Sequence, residues 1–162
     1  MSKPKKVSDT GRTPMDAALR FLARARTIRE LERHLDACEY GEVEVYDTVE
    51  RLKDLGLLND TAYAEDFVRT RLATKPVSRA HLREQLLSHE TDLDAIEQAL
   101  LAVDDETQQK SAVSIAEKYA RQYSNLAEEE RNEMVIRRLL ARGYSYDDAR
   151  AALAEATGER DE

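Results

Sequence analysis

The feature that most narrows what this chain can fold into is a repeated apolar stripe. Ile28, Leu31, Leu35 and Cys38 stand at i, i+3, i+7 and i+10, and Leu93, Ile96, Leu100 and Val103 repeat those offsets. Apolar residues so spaced lie along one side of an α-helix, and such a helix must bury that side against a neighbour. A longer recurrence accompanies it. "ELERHL" (30–35), "HLREQL" (81–86) and "VIRRLL" (135–140) align Leu31 with Leu82 and Ile136, and Leu35 with Leu86 and Leu140, at intervals of 51 and 54 residues. A period of about 50 residues is the signature of a helical repeat array, in which each repeat covers its neighbour's apolar face.

Helix starts and stops divide the chain accordingly. Thr13 is followed by Pro14 and then Asp16, Thr27 by Glu30 and Ser145 by Asp148, each a start signal, and Thr91 with Asp94, Asp60 and Ser78 can cap further helices. Gly41, Gly56, Pro76 and Gly143 mark stops or turns. The expected fold is all-α: helices near 14–25, 27–38 and 43–55, then 60–73, 78–88 and 92–103, then 105–123, 127–141 and 146–156. These make three tandem three-helix repeats, helix-turn-helix-like units over 14–58, 59–103 and 104–158, in an elongated, curved array with tails at 1–13 and 159–162. At the joint "DLGLLNDTAYAEDFVRTR" (54–71), Gly56 stops one helix, Asp60 starts the next, Leu57 and Leu58 pin the joint, and Tyr63 and Phe67 share a face.

Charge supports repetition too. The net charge is -8, and the three repeats carry -3 each while residues 1–13 carry +3. That balance argues against a protein that coats DNA by neutralising phosphates. Hydrophobic residues at 41% still supply a core, against 36% charged. No apolar run approaches the roughly 20 residues a membrane helix needs, and the basic start "MSKPKKVSDTGR" has no apolar segment behind it, so a cytoplasmic location is expected; the expected state is a monomer.

Catalytic patterns are not evident. His34, His81 and His89 make no His-x-x-x-His pair, Cys38 lies on an apolar stripe as a small hydrophobe, and no phosphate-cradling glycine loop occurs, so no catalytic residue, metal site or cofactor is expected. The acidic runs 104–106 and 128–130 read as helix starts. Tyr40, Tyr46, Tyr119, Tyr123, Tyr144 and Tyr146 have rings able to stack on bases, but at these spacings most of them are expected to fill interfaces between helices.

Cations gather in each repeat. Arg20, Arg24, Arg26, Arg29 and Arg33 surround the first two helices; Arg69, Arg71, Lys75, Arg79 and Arg83 take the matching junction of the second repeat; Arg137, Arg138 and Arg142 stand in the third. The candidates for a partner-binding surface are Arg24, Arg26, Arg69, Arg71, Lys75, Arg79, Arg83, Arg137, Arg138 and Arg142, with Arg24, Arg71, Arg79 and Arg83 foremost. The plainer reading of any one of them is a solvated face with i,i+4 pairing. Acids such as Glu42, Glu44, Asp47 and Glu50 dominate the third helices.

"LKDLGLLNDTAYAEDFVRTR" (52–71) resembles the most characteristic stretch of the RecX family, in which Leu-Gly-x-Leu-x-Asp leads into Tyr-Ala and an aromatic-x-Arg segment. "RTPMDAALRFLARARTIRELERHL" is similar to that family's opening and "RRLLARGYSYDDARAAL" to its ending. The chain departs from the pattern at Val77-Ser78 and His89-Glu90, where the family usually has a glycine before the helix and a Gly-hydrophobic pair after it. The resemblance implies a small, modular, non-enzymatic helical protein. It would bind the RecA recombinase filament along its groove, suppress ATPase and strand exchange, and favour filament loss, with single- or double-stranded DNA as a weak additional partner. The competing readings are a helix-turn-helix-like DNA-binding regulator, which the acidic third helices oppose, and a helical adaptor with another protein partner.

Overall fold

The computed structural model describes residues 12–158. Among them the fold is all-α, with nine helices and no strand: α1 (Pro14–Phe21), α2 (Ile28–Ala37), α3 (Glu42–Asp54), α4 (Asp60–Thr74), α5 (Arg79–Ser88), α6 (Leu93–Leu100), α7 (Asp105–Gln122), α8 (Glu128–Ala141) and α9 (Tyr146–Thr157). The tails expected at 1–13 and 159–162 lie outside the described residues, apart from Arg12 and Thr13. No described helix is long and apolar enough to cross a membrane.

Local chemistry sets most helix starts. Thr13, Thr27, Asp104 and Ser145 each accept the backbone N–H three residues on, and at Thr27 the Glu30 side chain returns the bond to complete a capping box. Two expected caps act differently. Asn59, not Asp60, accepts the Ala62 N–H of α4 at 3.1 Å. Thr91 donates its hydroxyl to the Leu86 carbonyl at 2.8 Å, and α6 is capped instead by Asp92, which accepts from the Ala95 N–H. Two helices also end sooner than expected. Beyond Phe21 the chain must turn in time to bring Thr27 to the head of α2, and beyond Leu100 the Ala102 and Val103 amides tighten onto Ala99 and Leu100 before Asp104 caps α7.

The second helix of each trio closes in one way. Tyr40, Thr91 and Tyr144 donate their N–H groups back to the carbonyls of Leu35, Leu86 and Leu139. The residue before each donor, Glu39, Glu90 and Gly143, takes positive φ of 66°, 55° and 92°. Glu90 therefore makes, without a glycine, the left-handed turn that Gly143 makes at the end of α8. This closure also corrects the register of the third repeat by one residue. Val135 and Leu139 are fully buried where Ile136 and Leu140 are expected to be; Ile136 is half-buried and Leu140 is 43% exposed. The intervals are thus 51 and 53 residues.

The chain packs as two compact units, one of the described residues up to Ala64 with Leu86–Ile96, the other of Glu65–Gln85 and Glu97 onward. In the first, α1, α2 and α3 enclose Ala17, Ala18, Leu31, Leu35, Val49 and Leu52. Of the two leucines expected to pin the joint after α3, only Leu58 is buried; Leu57 is 55% exposed. A polar junction fixes this unit further. The buried Asp60 carboxylate accepts the Ile28 N–H at 2.9 Å and the Asp92 N–H at 2.8 Å, so the heads of α2 and α6 converge on the first residue of α4. Beside it the buried Thr27 hydroxyl donates to the His89 carbonyl at 2.7 Å, and His89 Nδ1 lies 3.2 Å from Glu30 Oε2, with Tyr63 tilted on the His89 ring.

In the second unit, α7, α8 and α9 close on Ala112, Ile115, Ala116, Val135, Leu139 and Ala149, and the many alanines let the helix backbones approach closely. The Ser78 N–H donates to the Arg142 carbonyl at 2.9 Å, and the head of α5 is satisfied as the head of α2 is: the Arg79 N–H donates to Gln108 Oε1 at 2.8 Å. Tyr144 is buried with no hydrogen-bond partner for its hydroxyl, and burial pushes its phenol up to about 12, slightly offset by the nearby Arg142 charge. A proton held more tightly folded than unfolded gives stability that is full below the unfolded value of 10.0 and is lost as pH rises through about 12. Tyr144→Phe removes an unsatisfied buried hydroxyl, so equilibrium unfolding should show a gain of about 1 kcal/mol at neutral pH. The decline across that alkaline window should also be shallower than in the wild type.

Candidate partner-binding site

Helix α7 carries Lys118 and Tyr119 and is followed by Tyr123 at its C-terminal cap, and α8 carries Arg138 in its last turn and is followed by Arg142 at its cap. The two tyrosine rings stack at 6.2 Å and 18°. Arg138 donates through Nε and Nη2 to the Tyr123 hydroxyl at 3.2 and 2.9 Å, and Arg142 donates to the Tyr119 hydroxyl at 3.0 Å and to the Pro76 carbonyl at 3.0 Å. Three cations surround the Tyr119 ring: Lys118 at 5.5 Å, Arg138 at 5.3 Å and Arg142 at 5.7 Å. Exposed Lys75 adjoins Pro76 in sequence.

The electrostatics follow from this crowding. Burial pushes the Tyr119 phenol up, but the Arg142 hydrogen bond and the charges of Arg142, Lys118 and Arg138 outweigh it and hold the group below its ordinary value. The Tyr123 hydroxyl in turn raises Arg138. Lys118 and Arg138 are exposed, so the cluster offers cationic heads beside an aromatic platform, a chemistry suited to carboxylates or phosphates. No group of three or more His, Cys, Asp or Glu among the described residues is arranged to hold a metal ion.

The candidate cations separate into two kinds. Arg79 donates to the Val103 carbonyl at 2.7 Å and to Asp105 at 3.1 Å, and Arg83 forks onto Glu97 at 2.8 and 3.1 Å. With Arg142, these arginines tie the second unit together. Arg26 is half-buried with its guanidinium 4.4 Å from the Phe21 ring, which stacks on His34 at 4.0 Å, and Arg71 lies 5.4 Å from the Phe67 ring. Arg69 pairs with Asp66 and Arg137 with Glu133 on their own helices. Arg24 and Lys75 are exposed. The structure gathers Arg138 and Arg142, with Lys75 next in sequence to Pro76, whose carbonyl Arg142 holds; the others do not join that cluster. Sequence reading missed Lys118: adjacent residues do not share a helix face, so no spacing marks it, and only the reach of its long side chain brings the ammonium 5.5 Å from the Tyr119 ring. Of the six tyrosines expected mostly at helix interfaces, Tyr40, Tyr119, Tyr123 and Tyr144 are buried or half-buried, and Tyr46 and Tyr146 are 65% and 56% exposed. Cys38 is half-buried, with its sulfur 3.8 Å from His34 Nε2.

The fold and the cluster define an all-α protein of three-helix groups with a cationic, aromatic surface. Residues 59–100 match the family model described as the second three-helix domain of RecX. The crystal structure of RecX from Lactobacillus salivarius superposes with a TM-score of 0.76 at 30% identity, covering 89% of this chain and 94% of that one. The chain belongs to the RecX family of regulatory proteins. Regulatory protein RecX from Bacillus subtilis is 31% identical over 146 residues, and that from Listeria welshimeri 26% identical over 157. The chain covers 90% and 96% of its own length in those matches but spans only 55% and 58% of the relatives' length.

Proposed function

We propose that this protein is a non-enzymatic regulator that binds RecA recombinase filaments in the cytoplasm as a monomer and inhibits their ATPase, strand exchange and extension. In this reading the three-helix repeats 14–58, 59–103 and 104–158 are successive binding modules. Family membership supports the reading, and the cationic cluster on Tyr119 and Tyr123 is the observation that carries it to particular residues. A binding protein of this kind acts by differential affinity, stabilising an inhibited or shortened filament over the active one. It needs neither a nucleophile nor a cofactor for that.

Lys118 and Arg138 are the residues to test, because both are exposed, whereas Arg79, Arg83 and Arg142 are engaged in holding the fold. Reversing both, Lys118→Glu with Arg138→Glu, should weaken co-sedimentation with filaments on single-stranded DNA by about tenfold or more, since each charge is replaced by its opposite at a complementary surface. Wild-type binding by the folded double variant would remove this cluster from the interface.

A further inference from the structure

Helix α3 has an inner and an outer face of different character. Val45, Val49 and Leu52 are buried, while Val43 and Tyr46 on the opposite side are 73% and 65% exposed, with Asp47 and Asp54 along the same face and Glu50 paired there with Lys53 at 3.2 Å. A solitary exposed apolar side chain is ordinary, but two large ones a turn apart among carboxylates form a patch. The feature recurs. Helix α6 opens on Leu93, 65% exposed, flanked by Asp92 and Asp94, and both helices hold the third place in their trio. In α9 the corresponding Tyr146 differs, since Arg150 lies 5.8 Å from its ring.

We propose that the outer faces of α3 and the start of α6 are docking surfaces for a protein partner whose own surface is basic with apolar recesses. Carboxylates beside the anchors repel phosphates, so nucleic acid is the wrong occupant, whereas lysine- or arginine-rimmed pockets on a protein complement both the acids and the apolar side chains. Two such faces suit a partner that offers the same site in successive copies. The inference rests on the filament reading above and adds to it a second surface, opposite in charge to the Tyr119 cluster.

The test is co-sedimentation of the full chain with recombinase filaments on single-stranded DNA, comparing wild type with a Val43→Ser, Tyr46→Ser, Leu93→Ser variant. All three side chains are largely in water, so the melting temperature should stay at the wild-type value. Apparent affinity should fall by about tenfold, as expected when exposed anchors of an interface are truncated. A second variant, Asp47→Lys with Glu50→Lys, should weaken binding through charge alone. Unchanged affinity in both variants would overturn the proposal while leaving the filament reading in place, and an equal loss of binding to bare DNA would overturn it in favour of a nucleic-acid contact. Failure of the wild type itself to bind filaments would overturn the filament reading and this inference with it.

Discussion

Gly143→Ala should lower the unfolding free energy by about 3 kcal/mol, because two independent penalties act at one position. Gly143 closes α8 with φ of 92°, where a side chain is strained, and a Cβ built there meets Ser78 Oγ and comes within 2.7 Å of His81 Cβ. Neither neighbour yields easily. The Ser78 hydroxyl accepts the His81 N–H at 3.0 Å, and the Ser78 amide donates to the Arg142 carbonyl, so displacing it disturbs the head of α5. Gly56 supplies the control: its φ is 72° with nothing within 4 Å of a built Cβ, so Gly56→Ala should cost only the conformational part, about 1 kcal/mol. Urea unfolding of both variants measures the difference. Equal losses would show that the close approach at Gly143 carries no weight.

Asp60→Ala should cost about as much, close to 3 kcal/mol, by a different route. The carboxylate is 8% exposed and receives the first amide of α2, from Ile28, and the amide of Asp92, the residue that caps α6. Removing it leaves two backbone donors without partners at the heads of α2 and α6, and each carries a desolvation penalty of about 1–3 kcal/mol. Asp60→Asn retains an acceptor for one of the two and should recover roughly half of the loss. The denaturation midpoint should move with an unchanged slope, since the surface exposed on unfolding is nearly the same. A loss below about 0.5 kcal/mol, typical of a surface change, would mean that the junction does not hold the two helix heads.

The parts of this structure written in neighbouring residues were legible in the sequence. Thr27 with Glu30 and Ser145 with Asp148 mark helix starts because both partners lie within one turn. The apolar stripe of α2 marked a face for the same reason, whereas that of α6 is buried at Ile96, Leu100 and Val103 but not at Leu93, which opens the helix 65% exposed. The register of α8 was not legible from apolarity, because the doublets Val135-Ile136 and Leu139-Leu140 offer two stripes with identical spacing. The turn residue decides it: Glu39, Glu90 and Gly143 each stand four places beyond the buried leucine. Long-range partners were beyond reach. That Arg142 reaches a carbonyl 66 residues away, or that Asp60 joins helix heads 32 residues to either side, depends on which surfaces meet. Sequence reading named Arg79 and Arg83 as partner-binding candidates without seeing the Val103 carbonyl, Asp105 and Glu97 that engage them, and it named Tyr119, Tyr123 and Arg138 without seeing that they meet.

The most direct test of the proposed function is ATP hydrolysis by the recombinase of the same organism on single-stranded DNA, with this protein titrated in after filaments have formed. A progressive fall in hydrolysis is expected. Inhibition at well below one copy per recombinase monomer would indicate control of filament growth and turnover, and inhibition only near saturation would indicate coating of the groove. Unchanged hydrolysis at saturating, folded protein would contradict a regulator of the recombinase.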